Sequence, residues 1–464
     1  MEGLKKKLEN RKAVAAVIGL GYVGLPLALE IASAGFNVIG IDLDENKIAD
    51  LKQGKSYILD VPHDAVAEAV QAGRLTATSD FSLLSQVDAV SICVPTPLSK
   101  SRDPDISFIL AATEKIRKYL HRGQLVVLES TTYPGTTEEL ILPELEASGL
   151  RVGQDFFLAF SPERIDPGNT TFKTRNTPKI VGGITERCTE AARVFYSQFI
   201  ERVIAVSSSK CAEMVKLLEN TFRSVNIGMV NEMALMCDLL GVDIYEVIDA
   251  AATKPFGFIP FYPGPGLGGH CIPIDPHYLA WKLKALNFQA RFIGLAAEIN
   301  GMMPSVVTGL VAEGLNRHAK SIRGSRILVL GVAYKKNVSD CRESPALDIM
   351  RMLGDKGAIL SFNDPLVPTL RMGNTILKSI DLSQSEVERQ DCIIILTDHG
   401  TYDFRMVVAS ARLVIDTRNA TKDLPEFRDR IIKLGAGNSS LCTDPPEPGE
   451  EEMPLRRLGI GQGA

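Results

Sequence analysis

Gly19-Leu20-Gly21-Tyr22-Val23-Gly24 is the stretch on which the reading of this chain turns. It follows the apolar run Ala13–Ile18, opens the helix-forming stretch Leu25–Ala34, and is followed by a second apolar run, Phe36–Ile41, with Asp42 at its end. A glycine triplet alone is a weak signal. Between a strand and a helix, with an acidic residue closing the next strand, it reads as a dinucleotide-binding turn. Gly19 permits the tight turn, Gly21 leaves the backbone open to a pyrophosphate, and Gly24 lets helix and strand pack closely. Tyr22 and Val23 complete the turn, whose free N–H groups and helix dipole suit phosphate. Asp42 accepts from ribose hydroxyls and repels a 2′-phosphate, so NAD is the predicted cofactor.

The same rhythm continues outward. Ala89–Val94 and Gln124–Leu128 are further apolar strands, and the alternation predicts a parallel, doubly wound sheet over residues 1–205. Ser209–Leu240 then has no proline and a helical spacing of apolar residues: Met214, Val215, Leu218, Phe222, Val225, Met229 and Met233. That predicts one long helix capped by the serines at 207–209. Further helices are predicted at Ile244–Ala252, Tyr278–Leu286 and Ala290–Arg317, with a Gly/Pro-rich loop at Phe256–Pro276, giving a helical domain over 206–316. Arg326–Leu330, Ile359–Phe362, Cys392–Leu396 and Leu413–Asp416 open a second α/β series over 317–435, whose turn Gly331-Val332-Ala333-Tyr334 lacks the dinucleotide glycines. Residues 436–464, rich in proline and acids, read as a flexible tail. The predicted fold class is therefore α/β: two Rossmann-like domains joined by a helical domain with a long central helix.

With 464 residues, 45% hydrophobic and 23% charged, the balance is that of an ordinary globular protein of several domains. A net charge of -5 without a basic stripe argues against a nucleic-acid partner. No membrane span and no signal-peptide core are read, so a cytoplasmic location is expected. The eight cysteines form no CxxC pair and no Cys/His group with metal spacing, so no metal is expected.

One cysteine differs from the rest. Cys271 lies in Gly264-Pro265-Gly266-Leu267-Gly268-Gly269-His270-Cys271-Ile272-Pro273-Ile274-Asp275-Pro276, with a histidine before it and an aspartate one turn on. A dense Gly/Pro loop brings backbone close to a ligand, and a cysteine presented there reads as an activated thiolate nucleophile. Cys93 and Cys392, in apolar strands, read as core. Lys216 and Asn220 share one face of the long helix, and Ser224 extends it.

These residues and their order resemble the UDP-sugar dehydrogenase family, over about residues 12–420. The resemblance rests on the glycine turn with Leu25-Pro26-Leu27-Ala28, Pro95-Thr96-Pro97, Glu129-Ser130-Thr131 and Ser161-Pro162-Glu163-Arg164. It continues through Lys216 and Asn220, the loop Gly268–Pro276, and Tyr334-Lys335-Lys336 with Arg342-Glu343-Ser344. It implies oxidation of a C6 alcohol to a carboxylate with two NAD, through a thiohemiacetal and a thioester on Cys271. Lys216 and Asn220 would steady the oxyanion. Asp275 would order Lys216 or activate water, and Glu163 with Thr131 would handle the proton and the hydrolytic water. Thr96, Ser130 and Arg342 would border the cofactor; Arg164, Gly268, Lys335 and Arg418 would serve a UDP-sugar. A homodimer or higher homo-oligomer built on the long helix is also implied. Two departures narrow the substrate: Ile274 stands where the UDP-glucose branch has lysine, and Pro167, beside Asp166, replaces an acidic residue. With Pro255-Phe256-Gly257-Phe258 they point to the acetamido-sugar branch, UDP-N-acetylglucosamine first, with the manno and galacto epimers open. A simple two-electron hydroxyacid dehydrogenase lacks both the cysteine loop and the second α/β domain. A catalytically idle NAD-binding scaffold would have no use for Cys271, Lys216, Asn220 and Asp275 together.

Overall fold

The computed structural model describes residues 1–58, 61–98, 103–166, 168–169, 171–269, 271–373 and 375–437. The first domain is an eight-stranded sheet in the order β3-β2-β1-β4-β5-β6-β7-β8. Its strands are β1 (Val14–Ile18), β2 (Asn37–Ile41), β3 (Leu75–Thr78), β4 (Ala89–Ile92), β5 (Leu125–Leu128), β6 (Phe157–Phe160), β7 (Lys179–Gly183) and β8 (Val203–Ala205). β1 to β6 run parallel, and their continuous Val/Ile/Leu/Ala runs are buried because helices cover both faces. β7 pairs antiparallel to β6, so the first residue of β7, Lys179, returns to the carboxyl edge of the sheet. That edge is where ligands bind in open α/β sheets.

The long helix spans Ser209–Leu240, with Ser208 accepting from the Cys211 N–H and Gly241 ending it at φ 70°. The apolar stripe that reveals this helix is not the face that it buries. Leu218, Phe222, Met229 and Met233 are exposed, whereas Glu213, Lys216, Asn220, Ser224, Gly228 and Asn231 are buried. The helix Arg291–Arg317 lies against that polar, small-residue face; a Cβ on Gly228 would come within 3.1 Å of Ala296 Cα. Buried polar groups there satisfy one another. Asn231 donates to Asn300 Oδ1, and Asn300 donates to the Ser224 carbonyl. Arg291–Arg317 is also the one helix among the described residues that is long and apolar enough to cross a membrane, with 44% of its apolar window buried inside the protein.

The second α/β domain has the parallel order β10-β9-β13-β14-β15. Its strands are β9 (Arg326–Leu330), β10 (Ile359–Asn363), β13 (Cys392–Ile395), β14 (Val414–Asp416) and β15 (Ile431–Lys433), with the hairpin β11 (Thr369–Met372) and β12 (Thr375–Lys378) at its side. Ala436 and Gly437, assigned to the tail from composition, are still anchored: Ala436 bridges to Asp243 and the Gly437 N–H donates to Asp238. Residues 438–464, with Cys442, lie outside the described residues.

Candidate active site

The glycine turn has the geometry that its residue types require. Gly19 adopts φ 88°, and a Cβ there would lie 2.6 Å from the Cys93 carbonyl oxygen. A Cβ on Gly24 would lie 1.8 Å from the Gly19 oxygen, whereas one on Gly21 meets nothing within 4 Å. The helix Gly24–Ser33 starts at Val23 without a side-chain cap. Closely packed glycines on either side of an open one, at an uncapped helix start, fit a pyrophosphate. Asp42 laces the turn: it accepts from the Leu20 N–H at 2.8 Å and the Asp44 N–H at 3.0 Å, and pairs with Lys47 at 3.2 Å. Burial raises its pKa, but those amides and the ammonium outweigh it and hold the carboxyl below its ordinary value. The corresponding turn of the second domain is closed. Val332 and Ala333 N–H groups both donate to Asp364, which also meets His399.

Thr96 and Ser130 follow β4 and β5 at the carboxyl edge. The Thr96 carbonyl accepts from the Tyr278 hydroxyl at 2.8 Å, and the Ser130 hydroxyl donates to the Val94 carbonyl at 2.7 Å. Thr131, next along, is half-buried.

The reacting groups predicted from the sequence converge from three segments. Asp275 starts the helix Asp275–Lys284, and its N–H donates to the Cys271 carbonyl at 2.8 Å, which folds the cysteine back over the helix start. Asn220 donates to the Asp275 carboxylate, and both are buried. Lys216 donates to the backbone carbonyl of Glu163 at 2.6 Å. Asp275 is thus hydrogen-bonded to Asn220, and acts on Lys216 through charge alone.

The electrostatics are those of a water-poor site. Burial pushes the Asp275 carboxyl up to about 6, against the pull of Lys216 and Asn220. Burial, with the Asp275 charge behind it, pushes the Cys271 thiol up to about 11; Lys216, Arg342 and Arg223 pull the other way and lose. Burial thus outweighs the three cations and favours the thiol form over the thiolate. His270, read beside it, and Pro167, read as a departure, lie outside the described residues.

Arg342, assigned to the cofactor, and the residues assigned to the substrate are spread more widely. Arg342 lies with its guanidinium 5.1 Å from the Tyr22 ring centroid and pairs with Asp340 at 2.7 Å, which brings the second α/β domain against the glycine turn. Gly268 packs under Tyr334, where a Cβ would lie 2.7 Å from Tyr334 Cβ. Arg418 donates to the Leu396 carbonyl and covers Gly264, at the start of the cysteine loop. Lys335 pairs with Asp166 at 2.6 Å. Arg164 is bound to Glu219 and to the Pro178 carbonyl, both at 2.6 Å, so it braces the long helix.

A buried cluster is not visible in the sequence pattern. Lys179 pairs with Glu129 at 2.6 Å and with Glu163 at 3.4 Å, and Tyr196 donates to Glu129 at 2.5 Å. Its one local signal is a lysine opening an otherwise apolar strand. Arg223 and Tyr334, which act electrostatically on or with Cys271, likewise carry no motif that marks them. Among the described residues no group of His, Cys, Asp and Glu could hold a metal, and no cysteine forms a disulfide.

Comparison with known proteins bears on all three domains. Profiles of the UDP-glucose/GDP-mannose dehydrogenase family match in order: the NAD binding domain at residues 13–200, the central domain at 210–302 and the UDP binding domain at 328–423. A UDP-N-acetyl-D-mannosamine dehydrogenase of Pyrococcus horikoshii is 36% identical over 416 residues, covering 88% of this chain and 96% of that one. A UDP-N-acetyl-D-glucosamine 6-dehydrogenase of Pseudomonas aeruginosa is 37% identical over 354 residues, covering 76% and 82%. The solved structure of the Pyrococcus horikoshii UDP-D-ManNAc dehydrogenase superposes with a TM-score of 0.83 at 36% identity, covering 91% of this chain and 99% of that one. That of an NDP-N-acetyl-D-galactosaminuronic acid dehydrogenase from Methanosarcina mazei gives 0.77 at 31% identity, covering 94% and 98%.

Proposed function

We propose that this chain, which belongs to the UDP-glucose/GDP-mannose dehydrogenase family, oxidises the C6 alcohol of a UDP-N-acetylhexosamine to the carboxylate through Cys271. The observation that carries the reading is the meeting of half-buried Cys271 with buried Asp275, Asn220 and Lys216 in one place. Two NAD, bound one after the other at the glycine turn, would each accept one hydride from C6, while the alcohol proton passes by way of Thr131 and Glu163 to solvent.

Lys216 gives one N–H to the Glu163 carbonyl and Asn220 gives one to Asp275, so each retains donors for the C6 oxygen. Both are fixed before substrate arrives, which is what stabilising a developing oxyanion requires. Once C6 is an aldehyde, the Cys271 sulfur bonds to it and the thiol proton passes to Asp275, whose pKa near neutrality lets it take and return a proton. Loss of the second hydride from the thiohemiacetal leaves a thioester. Water then adds to the carbonyl carbon and gives a proton to Glu163, the C–S bond breaks, and Cys271 recovers its proton. Lys335 and Arg418 supply positive charge around the loop for the substrate diphosphate, and Arg342 borders the cofactor.

UDP-N-acetylglucosamine is the first choice of sugar, on Ile274 and the Pro255–Phe258 approach. UDP-N-acetylmannosamine and UDP-N-acetylgalactosamine are the alternatives, since a mannosamine and a galactosaminuronic acid relative are each 36% identical and matched over 96% and 95% of their length. The exposed edge Leu218, Phe222, Met229 and Met233 supports a homo-oligomer assembled on the long helix. The test is to incubate the protein with NAD and a panel of UDP-sugars, following NADH and product mass. Two NADH per acid are expected, and no acid from Cys271→Ala. One NADH per sugar, with an aldehyde or ketone released, refutes the reading.

A further inference from the structure

The buried ammonium of Lys179 has no part in the reaction above, yet it stands at the carboxyl edge of the sheet among reacting groups. Charged or titratable groups face it from each element around it. Glu129 follows β5, Glu163 follows β6, Cys93 follows β4, and Tyr196, on the helix Glu186–Tyr196, has its ring centroid 5.3 Å from the ammonium. Lys179 and Glu129 are both almost wholly buried, and a lone charge of either kind there would be expensive. Two carboxylates meet one ammonium, so the charge is not balanced pair by pair. Glu129 is also the better served: it has Lys179 at 2.6 Å and the Tyr196 hydroxyl at 2.5 Å.

Glu163 has the weaker claim on Lys179, at 3.4 Å, and its other oxygen accepts from the Arg164 and Ile165 N–H groups at 2.7 and 2.6 Å. Its carboxylate is thereby folded onto its own backbone, and its carbonyl receives Lys216. One residue thus links the buried cluster to the oxyanion donor.

We propose that Lys179 is a positioning residue for thioester hydrolysis. Its ammonium holds the Glu163 carboxylate in place as the base for water and sets a positive charge beside it, and so also steadies the carbonyl that aims Lys216. The cation is held inside the sheet edge, out of reach of solvent screening, so its effect on Glu163 survives at physiological salt. Glu129 and Tyr196 hold the cation where it is.

The inference rests on the proposed four-electron reaction, and the experiment separates the two. Wild type that yields no acid from any UDP-N-acetylhexosamine with NAD overturns the reaction itself. Given active wild type, Lys179→Met is followed by steady-state kinetics against pH and by intact mass during turnover. Expected are a kcat loss of roughly 10- to 100-fold with KM for the sugar nucleotide within about threefold, and an acid limb of kcat moved upward by about one pH unit. A sugar-mass adduct on the protein should accumulate, because hydrolysis becomes the slow step. Lys179→Arg should restore most of the rate and the original limb. Should Lys179→Met not fold, Glu129→Gln keeps volume and removes the competing carboxylate, and the limb should then move downward. An unshifted limb without adduct in folded Lys179→Met, or an unshifted limb in Glu129→Gln, overturns the inference.

Discussion

Replacing Asp275 by asparagine should make the protein more stable and nearly inactive. The carboxyl is 2% exposed and its pKa is raised from 3.8 to about 6, burial outweighing the pull of Lys216 and Asn220. At about 1.4 kcal/mol per unit, holding this group ionised at neutral pH costs the folded state about 3 kcal/mol. The folded carboxyl keeps its proton to higher pH than the unfolded one. Its contribution is therefore full below about pH 4 and is lost as pH rises through 6. An asparagine side chain at this position carries no charge, still offers an oxygen to Asn220, and escapes that loss. Asp275→Asn should match wild type near pH 4, gain through pH 5 to 6, and level off about 3 kcal/mol more stable above pH 7. Denaturant unfolding at a series of pH values reads this directly. Turnover should fall by roughly 10²-fold or more, because the thiol loses its proton partner. A variant no more stable than wild type at pH 8, or one whose advantage is as large at pH 4, would show that the carboxyl is not held against its solvation and refute the reasoning.

Other outcomes follow from the same geometry. With its thiol at about 11, Cys271 should be alkylated slowly by iodoacetamide at pH 7 and about tenfold faster for each pH unit up to 10, read by peptide mass; a rate that levels off below pH 8 contradicts this. Gly21→Ala, whose Cβ meets nothing in the protein, should unfold like wild type yet lose at least about tenfold in NAD affinity by calorimetry. Gly24→Ala, with a Cβ 1.8 Å from the Gly19 oxygen, should instead lose about 3 kcal/mol of stability or more. Asp42→Ser should raise the NADP-to-NAD ratio of kcat/KM by roughly 10-fold or more, since it removes the repelling carboxylate and leaves Lys47 unpaired beside the ribose site.

How far the sequence can be read depends on the range of the interactions. The glycine turn and the bounds of the long helix are set by neighbours along the chain, and both are legible. The helix that proline-free sequence predicts is the helix found, Ser209–Leu240. Which face it buries is not legible, because that is decided by what packs on it. Gly228 and Asn231 admit a second helix, and Lys216 and Asn220 are drawn inward by Glu163 and Asp275, leaving the larger apolar residues outside. The same limit applies to charge. The resemblance assigns Arg164 and Lys335 to the substrate, while the ion-pair partners that hold them, Glu219 and Asp166, are brought in by folding. Lys179 pairs with residues distant in sequence, from strands whose order no local pattern announces. The raised thiol of Cys271 likewise depends on burial, which a glycine-rich loop taken alone does not foretell.

The seam between the two α/β domains has a thermodynamic corollary. Arg342 lies over Tyr22, Lys335 reaches Asp166, and the Gly269 N–H donates to the Arg342 carbonyl, so the cysteine loop is gripped from both sides. Under the proposed function, a dinucleotide at the glycine turn and a sugar nucleotide beside Lys335 would draw on that one set of contacts. Reciprocity then binds them: whatever factor the first ligand adds to the affinity of the second, the second must add to the first. Such a seam would make the protein a meter in which the occupancy of either ligand is written into the hold upon the other.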